Sequence, residues 1–261
     1  YVQNHSHQII PIDKCALAHP KINEVIKRLN TLDLTRAKEI VIKDFEQTMA
    51  IIKGFLDITP LKDLVDTIYL DEKLVYGKPF VKTKLSDLTF RISKDSFFQV
   101  NTEMAEKLYD IALKYCGTDK SQKVLDLYCG TGTLTLLLSN HFKTVTGIEI
   151  NQEAIKCALE NQKINQIKNV NFICADVSSA ITKLQADIIV VDPPRRGLTT
   201  KGITDILQIR PQKIVYISCD PITLARDLHV LKEYYQIAEV TLVDMFPNTY
   251  SVESVVKLTI K

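Results

Sequence analysis

The stretch "VLDLYCGTGTLTLLLS", residues 124–139, places two glycines between an apolar run and a helical pattern. Gly130 and Gly132 stand where the chain turns, and glycine there lets a ligand approach the backbone closely. Thr135 replaces the third glycine of the dinucleotide pattern G-x-G-x-x-G. A simple tight turn also satisfies G-x-G, so the neighbouring strands must decide between a turn and a ligand loop.

Acidic residues end three successive predicted strands. Asp126 lies near the end of the first strand, Glu149 ends the second and Asp176 ends the third. A carboxylate about 20 residues after the glycines can accept hydrogen bonds from ribose hydroxyls, which fits Glu149, and Asp176 can receive an adenine amino group. The three acids argue against a simple turn and favour an adenosine ligand without a pyrophosphate.

Short apolar runs alternate with helical patterns over residues 96–261, which is typical of a parallel α/β sheet. The predicted strands are "KVLDLYC" (123–129), "TVTGIEI" (144–150), "NVNFICAD" (169–176), "ADIIVVD" (186–192) and "KIVYISC" (213–219). The last two runs, 236–246 and 251–261, are joined by "PNTY", which is too short for a helical crossover. They are therefore predicted to form an antiparallel hairpin at one edge of the sheet.

Residues 1–95 predict a smaller, mostly antiparallel α+β domain. The stretch "HPKINEVIKRLN" (19–30) is helix-like, and the strand-like segments are "AKEIVIKDF" (37–45), "TMAIIKGF" (48–55), "VDTIYLDEKLVYG" (65–77) and "LTFRIS" (88–93). The expected division is therefore a domain at 1–95 followed by a ligand-binding domain at 96–261.

The composition, 46% apolar and 25% charged over 261 residues with a net charge of +2, is that of an ordinary globular chain. The six cysteines form no C-x-x-C pair, which favours a reduced, cytoplasmic setting. No run is apolar enough to span a membrane and no signal peptide is evident, so we expect no membrane partner. A monomer is expected as well. Because the chain starts at Tyr1, we expect it to begin inside a longer protein.

The stretch "IIVVDPPRRGL", residues 188–198, follows the fourth predicted strand, at the sheet edge where such folds bind ligands. Asp192 with its two prolines is a candidate ligand contact, although a rigid turn gives the same pattern. Arg195 and Arg196 either grip phosphate or are solvated, and the sequence does not separate these two roles.

Cys219 leaves the fifth strand in "IVYISCDPITLARDL", residues 214–228. Asp220 is a predicted N-cap and Pro221 the first helical residue, so the thiol is expected at a helix N-terminus. That position is expected to lower the thiol pKa below its free value of about 8.5. A small core side chain is the alternative, but the neighbouring Asp192 favours a reactive thiol.

Two further candidates flank these motifs. Glu253 begins the last strand, among residues expected to be buried, although a solvated edge carboxylate is also possible. Gln99, in "SFFQVN", can hydrogen-bond a base or a cofactor, whereas Phe97 and Phe98 are expected in the core. The following helix, 102–115, is predicted to have an apolar face of Met104, Leu108, Ile111, Ala112 and Tyr115.

Five motifs in the same order closely resemble the RNA 5-methyluridine methyltransferase family, which has the class I S-adenosylmethionine-dependent methyltransferase fold. They are "SFFQVN", "DLYCGTGT", "DPPRRGL", "SCDPITLARDL" and "DMFPNTYSVE", within residues 90–261. A weaker likeness covers "HQIIPIDKCALA", residues 7–18. The resemblance implies a Rossmann-like sheet, S-adenosyl-L-methionine as cofactor and RNA as partner, with 23S ribosomal RNA favoured and transfer RNA as the alternative.

The resemblance also implies residue roles. Cys219 matches the nucleophile and Glu253 the proton acceptor. The expected cofactor contacts are Gln99, Asp126, Tyr128, Gly130, Gly132, Thr133, Glu149, Asp176 and Asp192, and the expected substrate contacts are Gln99, Asp192 and Arg195. Three other interpretations stay open: NAD binding, disfavoured by Thr135 and Asp126; cytosine-5 methylation of RNA; and an RNA-binding module without activity.

Cys15, Thr133 and Arg195 bear on how far these resemblances extend. Cys15 resembles the last of four iron–sulfur ligands, but its partners would precede Tyr1, so a cluster is not expected in this chain. Thr133 stands where some relatives have asparagine, and no stretch matches the N-terminal RNA-binding barrel that members often carry. Arg195 takes the place of the aromatic residue that follows Asp-Pro-Pro in amino-methyltransferases, which argues against methylation of an exocyclic amine.

Overall fold

The computed structural model describes residues 10–249 and 251–261. Residues 7–9 of "HQIIPIDKCALA" and Tyr250 of "DMFPNTYSVE" lie outside the described residues. The chain divides into two compact units. The first runs up to Thr83 and includes Ile92–Lys94, and the second comprises Lys84–Arg91 and Asp95–Lys261.

The first unit packs one helix against a four-stranded sheet. Its elements are α1 (Pro20–Leu29), β1 (Ala37–Asp44), β2 (Thr48–Gly54), a 3-10 turn (Thr59–Leu61), β3 (Thr67–Leu70) and β4 (Lys73–Gly77). The strand order is β1-β2-β3-β4, and the β2–β3 pair is parallel whereas the other two pairs are antiparallel. Val25 and Leu29 of α1 are buried with Ala50, Ile52 and Ile68 of the sheet, so apolar burial holds this layer together.

Two strands, β5 (Val81–Leu85) and β6 (Leu88–Ile92), pair in a separate two-stranded sheet. The sequence analysis predicted β6 but not β5. Val81, Thr83 and Leu85 are buried and alternate with exposed lysines, so the strand follows the period-two rule. Because Thr83 is polar, only Val81 and Leu85 mark the buried face in the sequence, which is too weak a pattern to predict a strand.

A seven-stranded sheet forms the second unit, in the order β12-β13-β11-β10-β7-β8-β9. Its strands are β7 (Asp119–Leu127), β8 (Phe142–Glu149), β9 (Val170–Cys174), β10 (Ile188–Val191), β11 (Lys213–Ser218), β12 (Tyr235–Val243) and β13 (Glu253–Ile260). The helices are α2 (Thr102–Cys116), α3 (Thr133–Leu138), α4 (Gln152–Ile164), α5 (Val177–Ala180), α6 (Thr200–Ile209) and α7 (Pro221–Leu231), with a 3-10 turn at Ile181–Lys183. The predicted α/β class and strand positions are confirmed.

The strands β7 to β11 run parallel to one another. The central strands β10 and β11 form continuous buried runs, as in Ile188–Val191. β13 lies between β11 and β12 and runs antiparallel to both, which confirms the predicted C-terminal hairpin. Its register pairs Ser218 of β11 with Ser254. The residue after β11, Cys219, therefore leaves the sheet at the edge where Glu253 enters it.

Short polar side chains begin the long helices of this unit. Asn101 caps α2, Asn151 caps α4 and Thr199 caps α6, each by accepting from a backbone N–H of the first turn. Asp220 caps α7, and its Oδ1 accepts from the N–H groups of Ile222 and Thr223 at 2.9 Å each. The predicted N-cap of α7 is therefore confirmed.

The segment between β10 and α6, residues 194–198, is a tight turn that α7 holds in place. The N–H of Gly197 donates to the carbonyl of Pro194 at 2.8 Å. Arg226 of α7 donates to the carbonyls of Arg196 and Leu198, at 2.9 and 3.0 Å. A side chain at Gly197, whose φ is +70°, would meet the Asp227 carboxylate at 2.6 Å, so this turn needs glycine.

Asp227 is the buried anchor of that turn. Its Oδ2 accepts from the N–H of Leu198 and from the hydroxyl of Tyr216, both at 2.7 Å, and its Oδ1 accepts from Arg226 at 2.8 Å. A fully buried carboxylate is stable only when it is paired and hydrogen-bonded. The four groups therefore lock α7, β11 and the turn to one another.

We predict that Asp227→Ala destabilises the protein by about 2–6 kcal/mol, because two buried donors, of Leu198 and Tyr216, lose their acceptor at about 1–3 kcal/mol each. The matched control is Asp220→Ala, which removes only a helix cap and should cost about 1 kcal/mol. Urea denaturation followed by circular dichroism measures both. Equal losses for the two variants would contradict the role of Asp227.

Candidate functional site

A small cavity lies at the carboxyl ends of β7 and β10. Its lining residues are Phe97, Phe98, Gln99, Tyr109, Asp126, Tyr128, Cys129, Gly130, Thr131, Thr133, Leu134 and Asp192. The cavity encloses about 60 Å³, whereas sites for drug-sized ligands hold about 300–1,000 Å³. A nucleoside would therefore extend from it over the adjoining loop surface. Six predicted site residues, Gln99, Asp126, Tyr128, Gly130, Thr133 and Asp192, meet here.

The two glycines of the loop have different surroundings. A Cβ at Gly130, φ +53°, would meet nothing within 4 Å, so open space lies above its backbone. A Cβ at Gly132, φ +78°, would meet the ring of Phe172 at 2.6 Å and Ala158 at 3.0 Å. Gly130 thus leaves room for a ligand, whereas Gly132 allows the helix and strand to pack closely.

Tyr128 also adopts the left-handed region, with φ +65°. A bulky residue rarely takes this conformation, which costs about 1–3 kcal/mol and is found most often at functional sites. Tyr128 begins the glycine loop that lines the cavity. The strained backbone therefore coincides with the predicted ligand site.

Asp126 is buried, and its carboxylate accepts a 2.6 Å hydrogen bond from the hydroxyl of Thr135. Burial raises the pKa of Asp126 to about 7, although the Thr135 hydrogen bond acts in the opposite direction. Thr135, which replaces the third glycine of the dinucleotide pattern, thus holds Asp126 of β7 against α3. The sequence alone did not predict this pairing.

Glu149 and Asp176 lie outside the enclosed cavity. Glu149 accepts from the N–H of Gly130 at 3.2 Å and from that of Asn151 at 2.8 Å, so its carboxylate is fixed beside the glycine loop. Asp176 is exposed at the start of α5 and makes no side-chain cap bond. Both carboxylates therefore keep acceptor capacity for a ligand.

Two neighbouring acids act on the carboxyl group of Asp192. Burial, followed by the charges of Glu253 and Asp126, raises the pKa of Asp192 to about 8. Burial also raises the pKa of Glu253, against the effect of Arg195. At neutral pH most of the Asp192 carboxyl is therefore uncharged and can donate a hydrogen bond.

Tyr109 of α2 lines the same cavity and is buried. Burial, followed by the charges of Asp192, Asp126 and Glu253, raises its pKa far above the usual range. Tyr109 is not predicted as a site residue, because in sequence a tyrosine within an amphipathic helix resembles an ordinary core residue. Its place among three carboxyl groups depends on strands that are distant in sequence.

Phe98 is buried, as predicted, but Phe97 is 75% exposed, so its predicted core position is wrong. Its backbone carbonyl accepts a 3.5 Å hydrogen bond from Thr131 of the glycine loop, and its side chain lies at the rim of the cavity. A hydrophobic residue placed at a rim is indistinguishable in sequence from a core residue. An exposed ring here can stack on a planar ligand.

Cys219 is half-buried at the edge that Glu253 shares. Burial raises the pKa of its thiol, and the charges of Glu253 and Asp192 raise it further, whereas Arg195 lowers it. The predicted lowering of this pKa is therefore wrong. The physical reason is that burial and the charges of Glu253 and Asp192 disfavour the thiolate more than Arg195 favours it.

Arg195 lies in the turn at residues 194–198 and is exposed. Its carbonyl accepts from the hydroxyl of Thr223 at 2.9 Å, so α7 fixes its backbone. Its charge lowers the pKa values of Cys219 and Glu253 against the effect of burial. Arg195 therefore supplies positive charge at the edge of the sheet that holds the thiol.

Within residues 10–249 and 251–261, no three histidine, cysteine or acidic side chains lie together in a way that could hold a metal ion. In that same part of the chain, no helix combines the length and apolar character that a membrane crossing requires.

Comparisons with known proteins find relatives that are described as RNA methyltransferases. An "uncharacterized RNA methyltransferase" of Staphylococcus aureus is 38% identical over 234 residues, which cover 84% of this chain and 52% of the relative. One of Clostridium acetobutylicum is 40% identical over 87% of this chain and 50% of its own length. The chain thus spans about half the length of these relatives.

A solved structure agrees over nearly the whole chain. The crystal structure of Pyrococcus abyssi tRNA (uracil-54, C5)-methyltransferase, in complex with S-adenosyl-L-homocysteine, superposes with a TM-score of 0.84 at 28% identity. The match covers 99% of this chain and 72% of that one. A tRNA m1G37 methyltransferase of M. jannaschii, at 13% identity and a TM-score of 0.59, covers 88% of this chain and 77% of its own, and shares the fold alone.

The sequence profile of one family extends over both the cavity and the C-terminal hairpin. It covers residues 62–261, more than half of the chain, and is described as tRNA (uracil-5-)-methyltransferase. This match agrees with the class I methyltransferase fold and with the resemblance seen in the five motifs. The chain belongs to the tRNA (uracil-5-)-methyltransferase family.

Proposed function

We propose that the protein transfers a methyl group from S-adenosyl-L-methionine to carbon 5 of a uridine in RNA, through a covalent bond between Cys219 and the uracil. The observation that carries this proposal is the β11–β13 register, which brings Cys219 and Glu253 to one edge of the sheet. The charges of Glu253 and Asp192 both act on the thiol. Family membership supports the same reaction.

The residues at the glycine loop fit S-adenosylmethionine, which supplies an electrophilic methyl group. The open space above Gly130 admits a ligand against the backbone. Glu149 is held so that it can accept from ribose hydroxyls, and the exposed carboxylate of Asp176 can accept from an adenine amino group. Gln99 and Tyr128, which line the cavity, would contact the remainder of the ligand or the uracil.

Uracil carbon 5 is too weak a nucleophile to accept a methyl group directly. We propose that Cys219 loses its thiol proton to water and that the thiolate sulfur forms a bond to carbon 6, while the electrons of the carbon 5–carbon 6 double bond move towards oxygen 4. The uncharged carboxyl of Asp192 would donate a hydrogen bond to that oxygen as its charge increases. Gln99 would hydrogen-bond to the polar edge of the base. Carbon 5 of the resulting enolate is then nucleophilic.

The second half of the reaction restores the thiol. Carbon 5 forms a bond to the methyl group while the bond between that methyl and the sulfonium sulfur breaks, so that S-adenosylhomocysteine leaves. Glu253 then takes the remaining proton from carbon 5, and the electron pair of that C–H bond re-forms the double bond. The bond between sulfur and carbon 6 then breaks, and the sulfur leaves as thiolate. Burial raises the pKa of Glu253, which makes it a stronger base for this step.

The RNA target has two candidates. Ribosomal 23S RNA is the target favoured by the motif resemblance. Transfer RNA is the substrate named for the Pyrococcus abyssi enzyme and for the matched family. We keep 23S ribosomal RNA as the proposal and transfer RNA as its alternative, and we propose that the protein acts in the cytoplasm.

The direct test incubates the chain with methyl-deuterated S-adenosylmethionine and separated 23S ribosomal and transfer RNA, followed by nucleoside mass spectrometry. We expect deuterated 5-methyluridine in the ribosomal fraction, and none with Cys219→Ala, because no thiolate then activates carbon 5. Label in transfer RNA alone would identify the other target. Deuterated 5-methylcytidine instead would contradict uridine chemistry, and a chain that binds no S-adenosylmethionine would favour a non-catalytic RNA-binding module.

The charges around Cys219 predict how its pKa responds to substitution. Glu253→Gln should lower the thiol pKa, because it removes a negative charge that opposes the thiolate. Arg195→Gln should raise the pKa, because it removes the positive charge that favours the thiolate. The measurement is the rate of iodoacetamide alkylation of the Cys219 peptide against pH, read by mass spectrometry.

Arg196→Gln is the matched control for that titration, since the charge of Arg196 acts on Tyr128 instead. It should leave the alkylation profile of Cys219 close to that of the wild type. If Glu253→Gln and Arg195→Gln shift the profile in the same direction, the arrangement of charges at the thiol is wrong.

A further inference from the structure

A second and larger cavity, of about 710 Å³, lies between α6 and α7. We call it the α6–α7 groove, and its lining residues are Arg196, Gly197, Leu198, Thr199, Thr200, Ile203, Thr204, Leu207, Arg226, Asp227, Val230 and Tyr234. This volume is within the range of about 300–1,000 Å³ that holds small ligands. None of these residues has a role in the methyl transfer described above.

The side chains of the groove are arranged by the helical period. Ile203 and Leu207 lie four residues apart on one face of α6, and Val230 faces them from α7. Tyr234 follows α7, and its side chain is 56% exposed. The groove therefore has an apolar floor with an exposed aromatic ring at one end, which suits the face of a nucleobase.

The opposite end carries one uncommitted positive charge. Arg226 is occupied, because its guanidinium donates to Asp227 and to the carbonyls of Arg196 and Leu198. Among the described residues, no hydrogen bond or ion pair holds the guanidinium of Arg196, which is exposed. Asp227 is already saturated by its donors and by its ion pair with Arg226, so it does not repel an anion at this end.

The groove adjoins the site of the proposed reaction. Arg195 and Arg196 are consecutive residues of the turn, which the hydrogen bond between Pro194 and Gly197 closes. The charge of Arg195 acts on the Cys219 thiol, whereas Arg196 lines the groove. Tyr128, which lines the small cavity, places its hydroxyl 3.8 Å from where a Cβ at Gly202 of α6 would lie. The side chain of Tyr128 thus forms part of the wall between the small cavity and α6.

We propose that the α6–α7 groove binds a nucleotide of the RNA that adjoins the target uridine, with its base against Tyr234 and its phosphate at Arg196. The proposal rests on the proposed function, since it requires an RNA substrate at the neighbouring thiol. The Cα atoms of the consecutive residues Arg195 and Arg196 are about 3.8 Å apart. This is close to one nucleotide step of about 3.4 Å along a stacked strand, so the two arginines suit neighbouring nucleotides.

The test measures the binding of a 5′-fluorescein-labelled nonauridylate to the chain by fluorescence anisotropy, at several salt concentrations and without S-adenosylmethionine. Tyr234→Ala should raise the Kd by about fivefold or more, the effect expected for one lost base stack. Tyr234→Phe should retain the wild-type Kd, because it keeps the ring. Arg196→Gln should weaken binding and reduce the slope of log K against log salt by about 0.7, as expected for one lost phosphate contact.

The matched control for charge is Arg210→Gln, which removes an exposed arginine at the far end of α6. It should leave the salt slope unchanged, and all variants should keep the wild-type thermal midpoint because each changed side chain is exposed. If both Tyr234→Ala and Arg196→Gln bind the oligonucleotide with the wild-type Kd, the proposal is overturned. That result is expected of a groove that holds a peptide. No binding of the oligonucleotide by the wild-type chain would also overturn it.

Failure of this proposal and failure of the proposed function give different results. If 5-methyluridine forms and Tyr234→Ala leaves the KM for RNA unchanged, the groove assignment is wrong while the reaction stands. If the groove variants weaken oligonucleotide binding but the wild-type chain forms no 5-methyluridine, the groove binds RNA and the reaction is wrong. Support for both requires a raised KM for RNA with an unchanged KM for S-adenosylmethionine.

Discussion

The rest of the site depends on the hydrogen bonds that the buried carboxylate of Asp227 accepts. It accepts from the Leu198 N–H, the Tyr216 hydroxyl and the Arg226 guanidinium, which belong to the turn, to β11 and to α7. Because the turn is fixed at this point, its two exposed arginines project from a defined place. Arg195 then acts on Cys219, and Arg196 lies in the α6–α7 groove.

The second constraint is the gathering of carboxyl groups at one end of the sheet. Parallel strands end at the same edge, so Asp126 and Asp192 meet there, and the antiparallel insertion of β13 adds Glu253. Burial and the repulsion between these carboxyl groups favour the uncharged form, and they raise the pKa of Asp192 to about 8. A neutral carboxyl donates a hydrogen bond, whereas the half-buried Glu253 becomes a better base. The same kind of group can thus support two different steps of the proposed reaction.

The sequence predicted much of this arrangement because many of its signals are local. Apolar runs located the strands, and the Asp220–Pro221 pair located the start of α7. The features that the sequence did not predict depend on pairing between distant segments. Asp227 looks like an ordinary acid of an amphipathic helix until Tyr216 and Leu198 are placed against it. The thiol pKa of Cys219 was predicted in the wrong direction, because helix position is visible in sequence whereas burial and facing acids are not.

The central claim is that Cys219 attacks carbon 6 of a uracil, and a trapped covalent adduct tests it most directly. Fluorine at carbon 5 cannot leave as a proton, so Glu253 cannot complete the reaction on RNA that contains 5-fluorouridine. With S-adenosylmethionine present, we expect a denaturant-stable complex whose digest carries a methylated 5-fluorouridine nucleotide on the Cys219 peptide, and no complex with Cys219→Ala. An intact adduct in Cys219→Ala, or an adduct on another residue, would contradict the account.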